Sequence, residues 1–324
     1  MNAAEIRVAL VGAGGIGRTH LKAWASVPGA RIAAIVDTDA EHARAAADEA
    51  GAQAYADVEG MLSDVDVDAV DVCTPPSSHR NLVEAALRSG VHVICEKPLA
   101  ADPVSAQQMV RAADETGKLL MTAFCHRFHP PIARLRELID SGEFGSVCMF
   151  RNRFAGPFAG VEDRWFSDPA VSGGGCLMDT SVHSVDLFRF LVGEVVRVGA
   201  MTLTVSDSLP PGVEDTAALL LAAESGAIGT IEASWTLPAG VNAVEVYGTR
   251  GVAFVHYWDG LQSRYRLDGM QGFEPLPEEG DRFVGELSHF AAAVRGECPL
   301  SVTGFDGQRA VEVIHEAYLS AGVR

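Results

Sequence analysis

No stretch of this chain is both uncharged and long enough to cross a bilayer, which takes about 20 apolar residues. The apolar run at residues 8–17 is short and carries no basic leader, so a cytoplasmic protein without a membrane partner is expected. Cationic side chains are scarce: 25 Lys and Arg stand against 43 Asp and Glu, a formal charge of −18. That excess repels phosphate backbones and anionic lipid, so no nucleic-acid partner is expected and a neutral small molecule suits the chain better. The six cysteines, at 73, 95, 125, 148, 176 and 298, form neither a C-x-x-C pair nor a compact framework, the pattern of free thiols in a reducing compartment. Low-complexity segments and internal repeats are also missing. With 48% hydrophobic and 21% charged residues over 324 positions, the chain is neither disordered nor fibrous and has length enough for two domains.

What is present begins with Ile6-Arg-Val-Ala-Leu-Val-Gly-Ala-Gly-Gly-Ile-Gly17. A β-type run ends in glycines at 12, 14 and 17 and passes at once into a helix-compatible segment, which is G-x-G-x-x-G in its required context. Gly12 permits the tight turn, Gly14 lets the backbone approach a pyrophosphate, and Gly17 lets helix and strand pack closely. Gly15 and Ile16 complete the loop, whose N–H groups and helix dipole favour an anion. A second β-type run, Arg31–Val36, leads into Asp37, 20 residues beyond Gly17, where an acid can bond both ribose hydroxyls. Asp37 would repel the 2′-phosphate of NADP, and Thr38-Asp39 supplies no cation, so NAD is the expected cofactor.

The cadence continues as βαβ. Asp39 is placed to cap an alanine-rich helix to Ala50, and Ala69–Cys73 reads as a buried strand stopped by Thr74-Pro75-Pro76. Ser77 or Ser78 is expected to cap the next helix, which carries His79. Val91–Cys95 is the following strand and runs into Glu96-Lys97-Pro98. Thr74, Pro75, Pro76, His79, Glu96 and Lys97 therefore fall at the carboxyl ends of parallel strands, where such sheets bind ligands. His79 suits either a place near the cofactor or a structural role at the helix terminus.

The composition changes near residue 123. Residues 1–123 are read as a Rossmann domain with a doubly wound parallel sheet. Residues 124–324 are read as a C-terminal α+β domain with a large, mostly antiparallel open sheet and helices on one face. The sheet's other face needs a cover, and a homo-oligomer, dimer or tetramer, is expected through it. Ser172-Gly-Gly-Gly precedes Asp179, His183 and Asp186, which one helix would align along a stripe. The glycines are read as leaving room for substrate or nicotinamide. The plainer reading of the stripe is an exposed i,i+4 pair on a solvated face.

Taken together, Gly12-x-Gly14-x-x-Gly17, Asp37, Thr74-Pro75-Pro76-x-x-His79, Glu96-Lys97-Pro98 and Gly173-Gly174-x-x-x-x-Asp179-x-x-x-His183-x-x-Asp186 resemble the Gfo/Idh/MocA oxidoreductases, over nearly the whole chain. The resemblance implies a nicotinamide cofactor, sugar or cyclitol substrates, a cis Pro98, and Lys97, Asp179 and His183 as the catalytic set. In chemical terms, His183 is the general base for a secondary hydroxyl, and Lys97 stabilises charge building on its oxygen. Asp179 either bonds the substrate hydroxyl or holds His183. Arg127 matches the family's Asn-Arg-Arg-Phe segment and is a candidate substrate contact, whereas Cys125 and His126 depart from it. Trp165 is a candidate wall for the sugar, or a packing residue. The cluster at 125–129 lacks a zinc spacing, so no metal is expected. Two alternatives stand beside the dehydrogenase: an enzyme that recycles a tightly held NAD within one turnover, and a non-catalytic NAD-sensing regulator.

Overall fold

A computed structural model of the chain describes residues 5–238, 242–257 and 260–323. The chain divides into two compact units, Met1–Cys125 with Asp281–Gln308, and His126–Gly280 with Arg309–Arg324. The first unit holds a six-stranded sheet. Its strands are β1 (Ile6–Val11), β2 (Ala30–Val36), β3 (Gln53–Tyr55), β4 (Ala69–Val72), β5 (His92–Glu96) and β6 (Leu120–Ala123). They run parallel in the order β3-β2-β1-β4-β5-β6, the doubly wound Rossmann arrangement. Near-continuous burial of β1, β4 and β5 is what helices on both faces require of a parallel sheet.

Those crossover helices are α1 (Gly15–Trp24), α2 (Ala40–Ala50), α3 (Val58–Asp64), α4 (Pro76–Arg88) and α5 (Pro103–Thr116). Local chemistry sets their ends. Asp39 caps α2 by accepting the N–H groups of Glu41 and His42, and Gly51 ends it at φ +65°, a conformation open mainly to glycine. The expected cap of α4 at Ser77 or Ser78 is not what forms. Pro76 takes the first helical position with Pro75 before it, where a missing N–H and a preset φ suit a helix start. The Ser78 hydroxyl instead bonds Thr74 Oγ1 and the Pro75 carbonyl.

The second unit is built on α6 (Pro130–Asp140), β7 (Val147–Ala155), α7 (Pro169–Ser172), α8 (Cys176–Asp179), α9 (Ser181–Leu191), β8 (Val195–Leu203), β9 (Thr216–Ala223), β10 (Ile228–Ser234), β11 (Ala243–Gly248), β12 (Gly251–His256), β13 (Arg264–Leu267) and β14 (Glu274–Pro275). The eight strands lie in the order β14-β13-β12-β11-β7-β10-β9-β8, antiparallel except for the β7–β10 pair. One face is buried under α9, where the Phe188 and Phe150 rings meet edge to face at 5.5 Å. Gly229 leaves room for that ring, since a Cβ there would come within 2.6 Å of it.

Two helices close the chain, α10 (Arg282–Val294) and α11 (Gly304–Ser320). α10 packs on α1 and, with the start of α11, belongs to the first unit, a different division from a single cut after residue 123. Gly307 lies against Thr122 and Leu99, fastening that return to the end of the parallel sheet.

Candidate active site

The glycine loop divides into two kinds of position. Gly12 adopts φ +94°, and a Cβ on it would lie 2.6 Å from the Cys73 carbonyl oxygen; a Cβ on Gly17 would lie 1.8 Å from the Gly12 carbonyl oxygen. Both are needed by the fold itself. Gly14 and Gly15 face open space, with nothing among the described residues within 4 Å of a Cβ, and α1 starts there without a side-chain cap. The first N–H groups of a helix are unsatisfied unless something outside it accepts them, and a pyrophosphate is such an acceptor. Asp37 closes the cradle: its two carboxylate oxygens accept the N–H groups of Ala13 at 2.7 Å and Asp39 at 2.8 Å. Each oxygen retains a lone pair for a ribose hydroxyl. The residues present thus fit a dinucleotide.

At the same sheet edge, β4 and β5 end in the other two loops. The Lys97–Pro98 peptide bond is cis, as the family resemblance implies. His79 is fully buried, with Nε2 2.7 Å from the Thr74 carbonyl and Nδ1 3.1 Å from that of Pro98. Burial pushes its pKa down, so the ring is neutral and, wedged between carbonyls of both loops, donates its one N–H to a single loop. Of its two expected roles, the structural one is what these contacts describe. Glu96 is also buried. Its Oε2 accepts the Lys97 N–H at 2.9 Å, and Oε1 lies 3.1 Å from His20 Nε2.

His20 and Asp71 were not singled out in the sequence. Both are buried completely, and His20 Nδ1 lies 2.9 Å from Asp71 Oδ2. Two signals pointed to them: Asp71 interrupts an otherwise apolar strand, and His20 shares the packed face of α1 with Gly17, Leu21 and Trp24.

In the second unit, Asp179 ends α8 and His183 lies in the first turn of α9. The single expected helix is thus two segments joined at Thr180, whose φ −91° and ψ −47° stay right-handed. Trp235 Nε1 holds the joint by donating to Thr180 Oγ1 at 3.0 Å. Asp179 and His183 are half-buried, while Asp186 is buried and paired with Arg127. Nε and Nη2 of that guanidinium bond the carboxylate at 2.9 and 2.5 Å, and it also lies over the Phe190 ring. Arg127, the candidate substrate contact, thus has a structural partner. His126 meets His183 edge-on with ring centroids 4.6 Å apart, stacks on Phe154 at 4.9 Å, and places Nδ1 3.1 Å from the Tyr257 hydroxyl. Trp165 stacks on Phe166 at 3.7 Å.

The glycines before α8 have another explanation than room for ligand. A Cβ on Gly174 would lie 1.9 Å from the Tyr318 hydroxyl, and one on Gly175 1.9 Å from the Glu214 carbonyl oxygen. Protein fills that space. The Glu214 carboxylate accepts N–H groups from Gly175 and Leu177, and Tyr318 donates to it at 2.9 Å. A buried acid therefore caps α8, the segment that ends in Asp179.

Comparison with known proteins agrees with this layout. Residues 6–124 match the family model described as an oxidoreductase family with an NAD-binding Rossmann fold, and residues 132–254 match the Gfo/Idh/MocA C-terminal domain. The chain is 30% identical to D-apiose dehydrogenase of Paraburkholderia graminis, over 97% of this chain and 87% of that protein. It is also 30% identical to inositol 2-dehydrogenase 2 of Saccharopolyspora erythraea, over 95% and 91%. Among solved structures, a levoglucosan dehydrogenase in complex with NADH and levoglucosan superposes with a TM-score of 0.90 at 25% identity, covering 98% of this chain and 97% of that one.

Proposed function

The chain belongs to the Gfo/Idh/MocA oxidoreductase family, and from that premise we propose that it is an NAD-dependent dehydrogenase acting on a secondary hydroxyl of a sugar, sugar derivative or cyclitol. The observation that carries this reading is that the open glycine cradle and Lys97 stand at the same edge of one parallel sheet. The curated and solved relatives named above are dehydrogenases of a pentose, an inositol and an anhydrosugar, which supports a polyol as substrate.

In this reading Gly14, Gly15, Ile16 and Asp37 hold the dinucleotide, whose nicotinamide, when bound, takes the hydride from the substrate carbon. His183 removes the hydroxyl proton, and the C–O bond becomes a carbonyl as both leave. Lys97 stabilises the negative charge on that oxygen during the transfer. Asp179 orients the hydroxyl or His183. Asp37 supports NAD over NADP, since no cation flanks it. Thr74, Pro75, Pro76 and Glu96 shape the cofactor side of the site, and Trp165 the substrate side.

The same reading makes the protein a homo-oligomer through the open face of the eight-stranded sheet. Met201 is 81% exposed there and with Leu203 and Leu237 lines a hollow of about 270 Å³. Six free cysteines, four of them buried, suit the cytoplasm.

The test mixes the protein with NAD and a panel of polyols and follows the absorbance of reduced cofactor. Turnover on at least one polyol is expected, with a fall of about 10²–10⁴-fold in kcat for His183→Ala. Tight NAD binding without turnover on any polyol overturns the dehydrogenase in favour of the sensor.

A further inference from the structure

Beneath the glycine loop lies a set of buried titratable groups that the reaction itself does not use. We propose that Asp71, His20 and Glu96 form a positioning triad for Lys97, with His20 held as an imidazolium between the two carboxylates.

The groups follow one another in space, hydrogen-bonded at the Asp71 and Lys97 ends, while His20 and Glu96 meet as an ion-pair contact in which Nε2 has no aligned hydrogen bond among the described residues. Asp71 Oδ2 lies 2.9 Å from His20 Nδ1, His20 Nε2 lies 3.1 Å from Glu96 Oε1, and Glu96 Oε2 accepts the Lys97 N–H at 2.9 Å. A neutral imidazole has one N–H, so facing two carboxylates through both nitrogens requires two protons. Two buried carboxylates without a cation between them would be costly. The groups facing His20 come from every element packed on it. Trp24 on α1 donates to Asp71 Oδ2 at 2.8 Å, the Cys73 thiol just past β4 donates to Asp71 Oδ1 at 3.4 Å, and the Phe283 ring of α10 stands 5.8 Å away. Glu286 on α10 is fully buried, and its two carboxyl oxygens have no hydrogen-bond partner among the described residues.

The electrostatics agree with the geometry. Burial, the largest single influence, opposes charge on His20, but Asp71 and Cys73 together outweigh it and hold the pKa well above the ordinary histidine value. Burial, reinforced by Glu96 and Asp71, raises that of Glu286 well above the carboxylate range, so this acid covers the triad in its neutral form. His20, Asp71 and Cys73 lie close enough together to suggest a metal cluster. The short contacts among them are hydrogen bonds, and burial pushes the Cys73 thiol up, which keeps on it the proton a metal would have to displace.

What the triad positions is the last residue of β5 and the N–H of the residue after it. The Pro98 carbonyl lies against His79, so the cis peptide is gripped on both sides and the root of the Lys97 side chain is fixed. This inference rests on the reading of Lys97 as the group that stabilises the reacting oxygen.

The test uses the full-length protein. Nitrogen-15 spectra of the histidines should show both ring nitrogens of His20 still protonated well past the ordinary histidine value. In Glu96→Gln the amide turns an N–H toward Nε2, which must then accept. His20 becomes neutral and protonated on Nδ1, the Lys97 N–H faces a neutral amide oxygen in place of a carboxylate so that its exchange rises at least tenfold, and kcat falls about tenfold. Asp71→Asn, which does not touch Lys97, should give the same signature with about a threefold loss in kcat. A single protonated nitrogen on His20 at neutral pH, or either variant keeping its Lys97 exchange and kcat while His20 loses a proton, overturns the proposal. If the unaltered protein turns over no polyol, the dehydrogenase reading fails, while the spectra and the exchange still decide the triad. Should Glu96→Gln not fold, the spectrum of the unaltered protein and Asp71→Asn decide it.

Discussion

Replacing Gly17 and Gly14 separately by alanine should split stability from cofactor binding. At Gly17 the new methyl would sit 1.8 Å from the Gly12 carbonyl oxygen and 2.9 Å from its carbon, backbone atoms that cannot swing aside. Reaching an ordinary contact of about 3.4 Å means drawing α1 away from β1 by about 1.6 Å, which loosens the packing beneath the helix. Overpacking costs about 1–3 kcal/mol, and a backbone clash belongs at the upper end. A loss of about 3 kcal/mol lowers Tm by about 6–12 °C in a domain of this size. Gly14 has φ −73° and an open Cβ position, so alanine there should fold and hold or gain about 0.5 kcal/mol by restricting the unfolded chain. Its methyl enters the volume reserved for the pyrophosphate, and NAD affinity should fall at least tenfold, or about 1.4 kcal/mol. Thermal melts and calorimetric titration with NAD read the two effects apart. Gly14→Ala melting as low as Gly17→Ala, or binding NAD like the unaltered protein, would refute the division.

Asp186→Ala leaves the buried Arg127 guanidinium without its carboxylate and should destabilise by about 3–5 kcal/mol in denaturant titrations; a loss below 1 kcal/mol would show that the pair is dispensable. Both His20 and Glu286 carry folded pKa values raised above the ordinary ones, so each binds protons more tightly in the folded state. Their contributions are fully present below the unfolded values and fade as pH rises through the folded ones. Melting temperature should therefore decline on the alkaline side, and Glu286→Met should flatten that limb; a slope equal to that of the parent would count against a neutral Glu286. Asp37→Ser should shift the ratio of NADP to NAD affinity at least tenfold toward NADP by removing the charge repulsion, and an unchanged ratio would mean that Asp37 does not face the ribose.

Much of this architecture was legible because it is written locally. The turn at Gly12 and the cap at Asp39 depend on neighbours a few residues away, and the parallel order follows from alternating helix and strand patterns. What escaped depends on partners far along the chain. Gly174 and Gly175 look like space cleared for a ligand until Tyr318 and Glu214 are seen to fill it. Arg127 reads as a candidate substrate contact, and its carboxylate partner Asp186 is joined to it only by the fold. The start of α4 turned on a local competition instead, in which the preset φ of Pro76 prevailed over the serine hydroxyls. His20 and Asp71 stood in plain view as polar residues in apolar settings, but only the fold joins them to Glu96.

The late return of α10 and the start of α11 to the nucleotide-binding unit has a bearing on how the protein is made. A ribosome releases the glycine loop long before Glu286, so the parallel sheet must wait, with the inner flank of α1 bare, while the whole eight-stranded neighbour is synthesised. Proteases and chaperones would meet that flank on nascent chains, and fragments ending near residue 125 should be sticky and short-lived where chains that reach past α10 are not.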